Sequence, residues 1–332
     1  MKNSFWIVTL ILCSVMVLCC CSAEHGYIES DEKSSDADKP METQSSETVA
    51  DDVENANQND IMAAYKSGEE KDNENTVHDE MKTEDQTISE NSEADAEVNK
   101  YEKLIQDAFS GFDGKLSYGI HMYDSGYMNV YNNSQMKSAS VIKLFIMEYA
   151  FELMKKGEIN DDVVVAGSNI SELVERMITV SDNNATNALI KYFGIDKIDG
   201  FVKEHYDATT LQRMMLDTAA AQRGEENYTS VADVMKFLDK LYNNRETYPY
   251  NEMLGIMKRQ QISTKLRRNM PQGVKMASKT GELSDVENDV AIVFSDNGDY
   301  AIVCLTKGGS LATARNAMAK VCRSIYDALQ KG

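Results

Sequence analysis

The chain has 332 residues, 42% hydrophobic and 27% charged, with 54 Asp and Glu against 34 Lys and Arg for a net charge of -20. The acid is concentrated, since residues 22–100 hold 24 acidic and 6 basic side chains and residues 101–332 hold 30 and 27. Length allows about two domains, and a nucleic-acid-binding role is excluded because nothing supplies the basic stripe that displaces counterions from phosphates.

In chain order, Met1 and Lys2 precede an apolar run from Phe5 to Cys21 broken only by Thr9 and Ser14, the pattern of an export signal. Within it, Leu18-Cys19-Cys20-Cys21 resembles the bacterial lipobox. The resemblance implies that Cys21 becomes the lipid-modified first residue of the mature protein, with an uncleaved membrane anchor as the alternative. Either one tethers the body outside the cytoplasm, at a bacterial cell membrane. From 22 to 99 there is no apolar periodicity, and Tyr27 and Tyr65 are the only aromatics. Such a segment cannot bury enough surface to offset its chain entropy and is predicted to be a disordered acidic linker. Its charge extends it as a spacer; a cation-binding tail is the weaker reading.

Residues 100–332 suffice for one well-packed domain. Periodicity predicts a helix over Tyr101–Phe109, then a hairpin of Leu116–Tyr123 and Tyr127–Tyr131 around Asp124-Ser125-Gly126. Helices follow over Val141–Lys156, Ile170–Val180, Ala185–Phe193, Ile195–Glu204 and Val231–Tyr242. Strands return at Val274–Lys279, Asp289–Phe294 and Tyr300–Thr306, and a last helix covers Leu311–Leu329. The order implies an α+β fold, with an antiparallel sheet whose first and last pieces pair and a helical lobe inserted between them. Cys304 and Cys322, on the last strand and last helix, read as two buried free thiols, with a disulfide as the alternative.

The body holds two histidines, His121 and His205, and no Gly-x-Ser-x-Gly, His-Glu-x-x-His or Cys-x-x-Cys motif. Zinc hydrolysis and Ser-His-Asp catalysis are therefore poorly supported, and His121 reads as a packed strand residue. Attention falls instead on Ser140-Val141-Ile142-Lys143, at the start of a helix apolar on nearly every face. A hydroxyl and an amine at i+3 share one side of that helix. Burial lowers the pKa of a Lys, and its neutral amine can then take the Ser proton. Read as structure alone, Ser140 is an N-cap and Lys143 reaches out to water.

Two further clusters stand in order behind it. In Ser181-Asp182-Asn183 the hydroxyl can relay a proton and the Asn amide can hold a carbonyl, although the same residues also suit any helix start. In Lys279-Thr280-Gly281 a cation and a hydroxyl at a strand edge can bind a carboxylate, and Gly lets a substrate backbone lie close.

Ser-x-x-Lys, Ser-Asp-Asn and Lys-Thr-Gly in this order are the signature of class A β-lactamases and penicillin-binding proteins. The chain resembles that superfamily of penicillin-recognising serine hydrolases, the class A β-lactamase branch above all, over nearly all of residues 101–332. The resemblance extends to Met177-Ile178, to Asn183-Asn184-Ala185-Thr186-Asn187 and to Asn288-Asp289-Val290-Ala291. It implies a three-layer α/β/α sandwich around a five-stranded antiparallel sheet. It also implies Ser140 as the acylated nucleophile, Lys143 as its activator, Ser181 as proton shuttle and Asn183 as holder of the substrate amide. Lys279, Thr280 and Gly281 would bind substrate, and the N–H groups of Ser140 and Glu282 would form the oxyanion hole. The implied substrate is a β-lactam or a D-alanyl peptide, handled by a monomer without cofactor or metal.

Three departures matter. The family's loop Arg is followed two residues later by a Glu that activates the deacylating water. Here Leu211-Gln212-Arg213-Met214-Met215-Leu216-Asp217-Thr218 places Met215 or Arg213 there, depending on register. Asp217 is the only carboxylate from 211 to 224; it is expected to pair with Arg213 at i+4, with deacylating base as the alternative. Glu282 stands where a small residue is usual, and the segment between Ser140 and Ser181 is shorter than usual.

Overall fold

The computed structural model describes residues 100–331, so the export signal, Cys21 and the acidic linker over 22–99 lie outside the described residues. Helix α1 (residues 100–109) leads to the hairpin β1 (Lys115–Met122) and β2 (Met128–Tyr131). The short β3 (Met136–Lys137) enters a 3-10 turn, Ala139–Ile142, continued by α2 (Lys143–Lys155). A small ribbon of β4 (Val164–Val165) and β5 (Ser168–Asn169) precedes α3 (Ile170–Thr179), α4 (Asn183–Phe193) and α5 (Ile195–His205). A loop carrying α6 (Thr218–Gln222) and β6 (Tyr228–Thr229) leads to α7 (Val231–Asn243) and α8 (Tyr250–Lys258). The chain closes with β7 (Lys275–Leu283), β8 (Val286–Phe294), β9 (Tyr300–Lys307) and α9 (Leu311–Leu329).

The main sheet has the order β2-β1-β9-β8-β7 and is antiparallel throughout, so the first and last strands pair as expected. Strand side chains alternate between faces, and here both faces are covered. Val290, Ile292, Val303 and Leu305 pack with the helical lobe, including α2, α3, α4, α7 and α8. Ala291, Val293, Ile302 and Cys304 pack with residues of α1 and α9, among them Tyr101, Ile105, Met318 and Ile325. This is the expected three-layer sandwich. Cys304 and Cys322 are both buried and free.

Helix starts carry local signals. Asn169 and Glu172 form a reciprocal capping box on α3, and Asp182 accepts from the N–H groups of Asn184 and Ala185 to open α4. Two helices escape the periodicity reading. In α8 the apolar positions Met253, Leu254, Ile256 and Met257 surround Gly255, a poor helix former. Helix α6 has five residues and is held by the Asp217 cap. Strand β7 runs to Leu283, past Lys279, because pairing with β8 continues through Gly281–Asn288, Glu282–Glu287 and Leu283–Val286. The polar run from Lys279 to Glu282 has little strand propensity of its own.

Candidate active site

Segment 137–138 is anchored before the chain reaches Ser140. Ser138 donates to the Asn227 carbonyl from its N–H (2.8 Å) and its Oγ (2.9 Å). Asn288 Nδ2 donates to the carbonyls of Lys137 (2.9 Å) and Ser138 (3.2 Å). Between these anchors and Ser140, Ala139 takes a left-handed φ of 47°, a conformation that costs an L-residue about 1–2 kcal/mol. Strain of this kind persists only where the surroundings impose it. Ser140, the next residue, is half-buried within the 3-10 turn and is not the cap of a helix.

Lys143, the first residue of α2, is fully buried and does not reach out to water. Its Nζ donates to Asn183 Oδ1 (2.8 Å), the Ser181 carbonyl (2.8 Å) and Ser181 Oγ (3.1 Å). Burial lowers its pKa from the usual range to about 7, against a smaller opposing pull from Asp182. Ser181 stands in the turn between α3 and α4 at a left-handed φ of 58°. Asp182, in the middle of the motif, caps α4; Asn183, the first residue of that helix, turns its amide to Lys143.

Lys279 reaches the same hydroxyl from β7, its Nζ donating to Ser181 Oγ at 3.0 Å and to the Thr280 carbonyl at 2.7 Å. Burial first, then the neighbouring Lys143 and Lys265, hold its pKa well below the usual lysine range. Ser181 Oγ thus lies between two amines. A hydroxyl has two lone pairs and one proton, so when both amines donate to it, its own proton is left to point elsewhere, toward a reacting group. Once that proton has left, a protonated Lys143 is placed to replace it, since its Nζ already donates to the same oxygen.

Gly281 also has a close neighbour within the chain. A Cβ built on it would lie 3.0 Å from Ser140 N, 3.0 Å from Ser138 O and 3.1 Å from Ala139 Cβ. The missing side chain lets β7 lie against the 3-10 turn that carries Ser140, which brings the strand within reach of the Ser140 amide. Thr280 is buried beside it, and Glu282, half-exposed, turns its carboxylate to Lys265 Nζ at 2.9 Å.

The loop from 211 to 227 departs from expectation. Arg213 does not pair with Asp217. Its guanidinium binds Glu226, with Nε at 2.8 Å and Nη2 at 2.7 Å. Asp217 lies instead at the start of α6, where Oδ1 accepts from the Ala220 N–H at 2.9 Å. An N-cap uses the short Asp side chain locally, whereas the longer Glu226 can reach across to Arg213. Asn227 closes the loop by accepting from the N–H groups of Gln212 and Arg213 and donating to the Arg213 carbonyl. The Arg213–Glu226 pair is about nine-tenths buried on both sides. We expect Arg213→Ala to destabilise the fold by about 3 kcal/mol, because it strands a buried carboxylate; thermal melting at neutral pH checks this.

Asn187 was legible only as part of a motif stretch. It lies one helical turn after Asn183 on α4 and clamps Met215 on both sides, accepting from the Met215 N–H (2.8 Å) and donating to its carbonyl (3.0 Å). Met215, one of the two residues that the loop register could put in the place of the Glu, is thus held by its backbone to α4. Lys265 was missed altogether, because a single Lys in a polar stretch gives no periodic or motif signal.

The residues singled out from sequence are brought together: Ser140, Lys143, Ser181 and Asn183, read as catalytic, and Lys279, Thr280, Gly281 and Glu282, read as substrate-binding, converge where the 3-10 turn, the α3–α4 turn and the β7 edge meet, while Asp217 is turned to α6. The model of the "Beta-lactamase enzyme family" matches residues 100–329. Beta-lactamase BRO-1 of Moraxella catarrhalis is 23% identical over 239 residues, covering 62% of this chain and 74% of the relative. Among solved structures, a beta-lactamase from Sphaerobacter thermophilus superposes with a TM-score of 0.62 at 21% identity, over 70% of this chain and 98% of that one. PBP-A superposes with a TM-score of 0.63 at 22% identity, over 70% and 97%. With the family model spanning the whole described body, the chain belongs to the beta-lactamase enzyme family.

Proposed function

We propose that the protein is a serine acyl-enzyme hydrolase that opens β-lactam amides through Ser140. The observation that carries this reading is the Ser181 hydroxyl held between Lys143 and Lys279, beside a strand pressed against the Ser140 amide. In acylation, Ser140 Oγ gives its proton to the neutral Lys143 amine and forms a bond to the amide carbon. The carbonyl oxygen takes the negative charge, facing the N–H groups of Ser140 and Glu282. Ser181 then gives its proton to the amide nitrogen as the C–N bond breaks, and Lys143 returns a proton to Ser181. Lys279 and Thr280 bind the substrate carboxylate. Intact-protein mass spectrometry with benzylpenicillin over time tests the reading; no adduct at any time on correctly folded protein would sink it.

A second reading, a D-alanyl peptidase or transpeptidase of the cell wall, is favoured by one observation: the clamped loop residue is Met215, which cannot take a proton from water. A chain that acylates and releases slowly would behave with penicillin as an inhibited wall enzyme. A penicillin-binding sensor without turnover is the limit of the same behaviour. One solved neighbour, a variant of PBP-A, is an acyl-enzyme complex with penicillin G.

Two expectations follow from this reading. The acylation rate should rise with pH through about 7. The sign follows from the base: below that value Lys143 is protonated and cannot accept, so the rate falls about tenfold per pH unit, and above it the rate levels. Stopped-flow acylation from pH 5 to 9 checks this, and a flat profile would exclude Lys143 as the base. We also propose that Cys21 anchors the protein to the outer face of the bacterial membrane, as its Leu18-Cys19-Cys20-Cys21 context suggests. Cys21→Ser should then move the head from the membrane to the soluble fraction, and wild-type protein found wholly soluble would refute the anchor.

A further inference from the structure

Behind β7 lies a charged group that touches no surface. Lys265 is fully buried, and its Nζ meets four oxygens: the carbonyls of Gly281 (3.2 Å) and Asn288 (3.2 Å), Glu282 Oε1 (2.9 Å) and Glu287 Oε2 (3.0 Å). Arg315 completes the network from α9, binding Glu287 through Nε at 2.7 Å and approaching Glu282 at 3.8 Å. A buried ion network of this kind is often neutral or costly for stability compared with an apolar cluster. Its placement suggests another use.

The Gly281 carbonyl belongs to the same peptide unit as the Glu282 N–H. A trans peptide is planar, with its C=O and N–H pointing to opposite sides. A donor on the Gly281 oxygen therefore fixes the rotation of that plane and sends the Glu282 N–H the other way. It also draws electron density onto the oxygen, which makes the N–H a stronger donor, since hydrogen bonds in a chain polarise one another. The ion pair to Glu282 holds the next side chain back on the same Lys. With Glu282 and Glu287 both on its Nζ, Lys265 has its charge offset locally, and its burial keeps it from a substrate.

We propose that Lys265 is a positioning residue that aims and strengthens the oxyanion donor of the Gly281–Glu282 peptide. This rests on the acyl-enzyme reading given above. The expected effect of losing it is smaller than that of deleting an oxyanion donor, which costs about 10²–10³-fold, because the N–H remains and only its strength and aim change. About a 10-fold loss in acylation rate is therefore expected, with the dissociation constant of the preceding non-covalent penicillin complex little changed.

The test uses the whole chain, benzylpenicillin carrying a ¹³C label in its β-lactam carbonyl, and infrared difference spectra of the adduct. In Lys265→Met the ester carbonyl band should move to higher wavenumber, reporting a weaker hydrogen bond to its oxygen, and Lys265→Arg should recover part of the shift. Lys265→Met/Glu287→Gln removes the stranded carboxylate and should show the same shift in a protein that melts close to wild type. An unmoved band with unchanged acylation, in a wild type that does form the adduct, overturns the role of Lys265 and leaves the acyl-enzyme reading intact. Failure of the double variant to fold would assign Lys265 to the fold alone and overturn the proposal as well. Absence of any adduct on wild-type Ser140 overturns both.

Discussion

Ser140→Ala and Lys143→Ala should each abolish covalent labelling by benzylpenicillin, and the double variant should be no worse than either single one. Ser140→Ala removes the atom that bonds to substrate, and the half-buried turn around it keeps its anchors from Asn227 and Asn288, so the variant should melt like wild type. Lys143→Ala removes the base, which alone costs about 10²–10⁴-fold. It also leaves Ser181 Oγ, the Ser181 carbonyl and Asn183 Oδ1 without their shared donor. The relay and its base thus fail together, which is the origin of the non-additivity. Labelling that persists in Ser140→Ala, mapped by peptide mass spectrometry, would move the nucleophile elsewhere.

The second large effect lies in deacylation. A chromogenic cephalosporin should give a burst equal to the enzyme present, followed by slow turnover, as the adduct on Ser140 accumulates. The loop residue clamped by Asn187 is Met215, and without a carboxylate there water attacks the ester unassisted, a loss of about 10²–10⁴-fold. Asp217 is occupied as the cap of α6, so Asp217→Asn should leave adduct lifetime within about twofold of wild type, because a cap substitution acts on stability. Met215→Glu should shorten the lifetime at least tenfold, by the same general-base argument run in reverse. Steady turnover without burst or trapped adduct would mean that a working base lies elsewhere.

The sequence made the layers visible because their signals are local and periodic. The alternating faces of β8 and β9 and the apolar stripes of α3, α7 and α9 specify which side is buried, and the order of strands and helices limits their arrangement. The three site motifs were legible because each sets a hydroxyl beside an amine or an amide at a fixed short spacing. What escaped depends on partners distant in the chain. Arg213 has Asp217 within one helical turn, yet the segment is not a helix and Glu226 reaches it across the loop. Gly281 packs against the Ser140 amide, a neighbour 141 positions earlier that no local spacing reveals. Lys265 gained meaning only once β7 and β8 were paired beneath it.

The strand order carries a consequence for how the protein matures. The sheet edge that faces Ser140 is β7, reached only after the helical lobe has been threaded between the opening hairpin and the last three strands. Contacts between segments so far apart must overcome a large loop-closure entropy and tend to be slow to assemble. Ser140 emerges from the ribosome about 140 residues before its Gly281 neighbour exists. The nascent chain therefore carries Ser140 and Lys143 before the strand that packs against their turn exists. The cluster of Ser140, Lys143, Ser181 and Lys279 is a property of the finished molecule, complete only once β7 is in place.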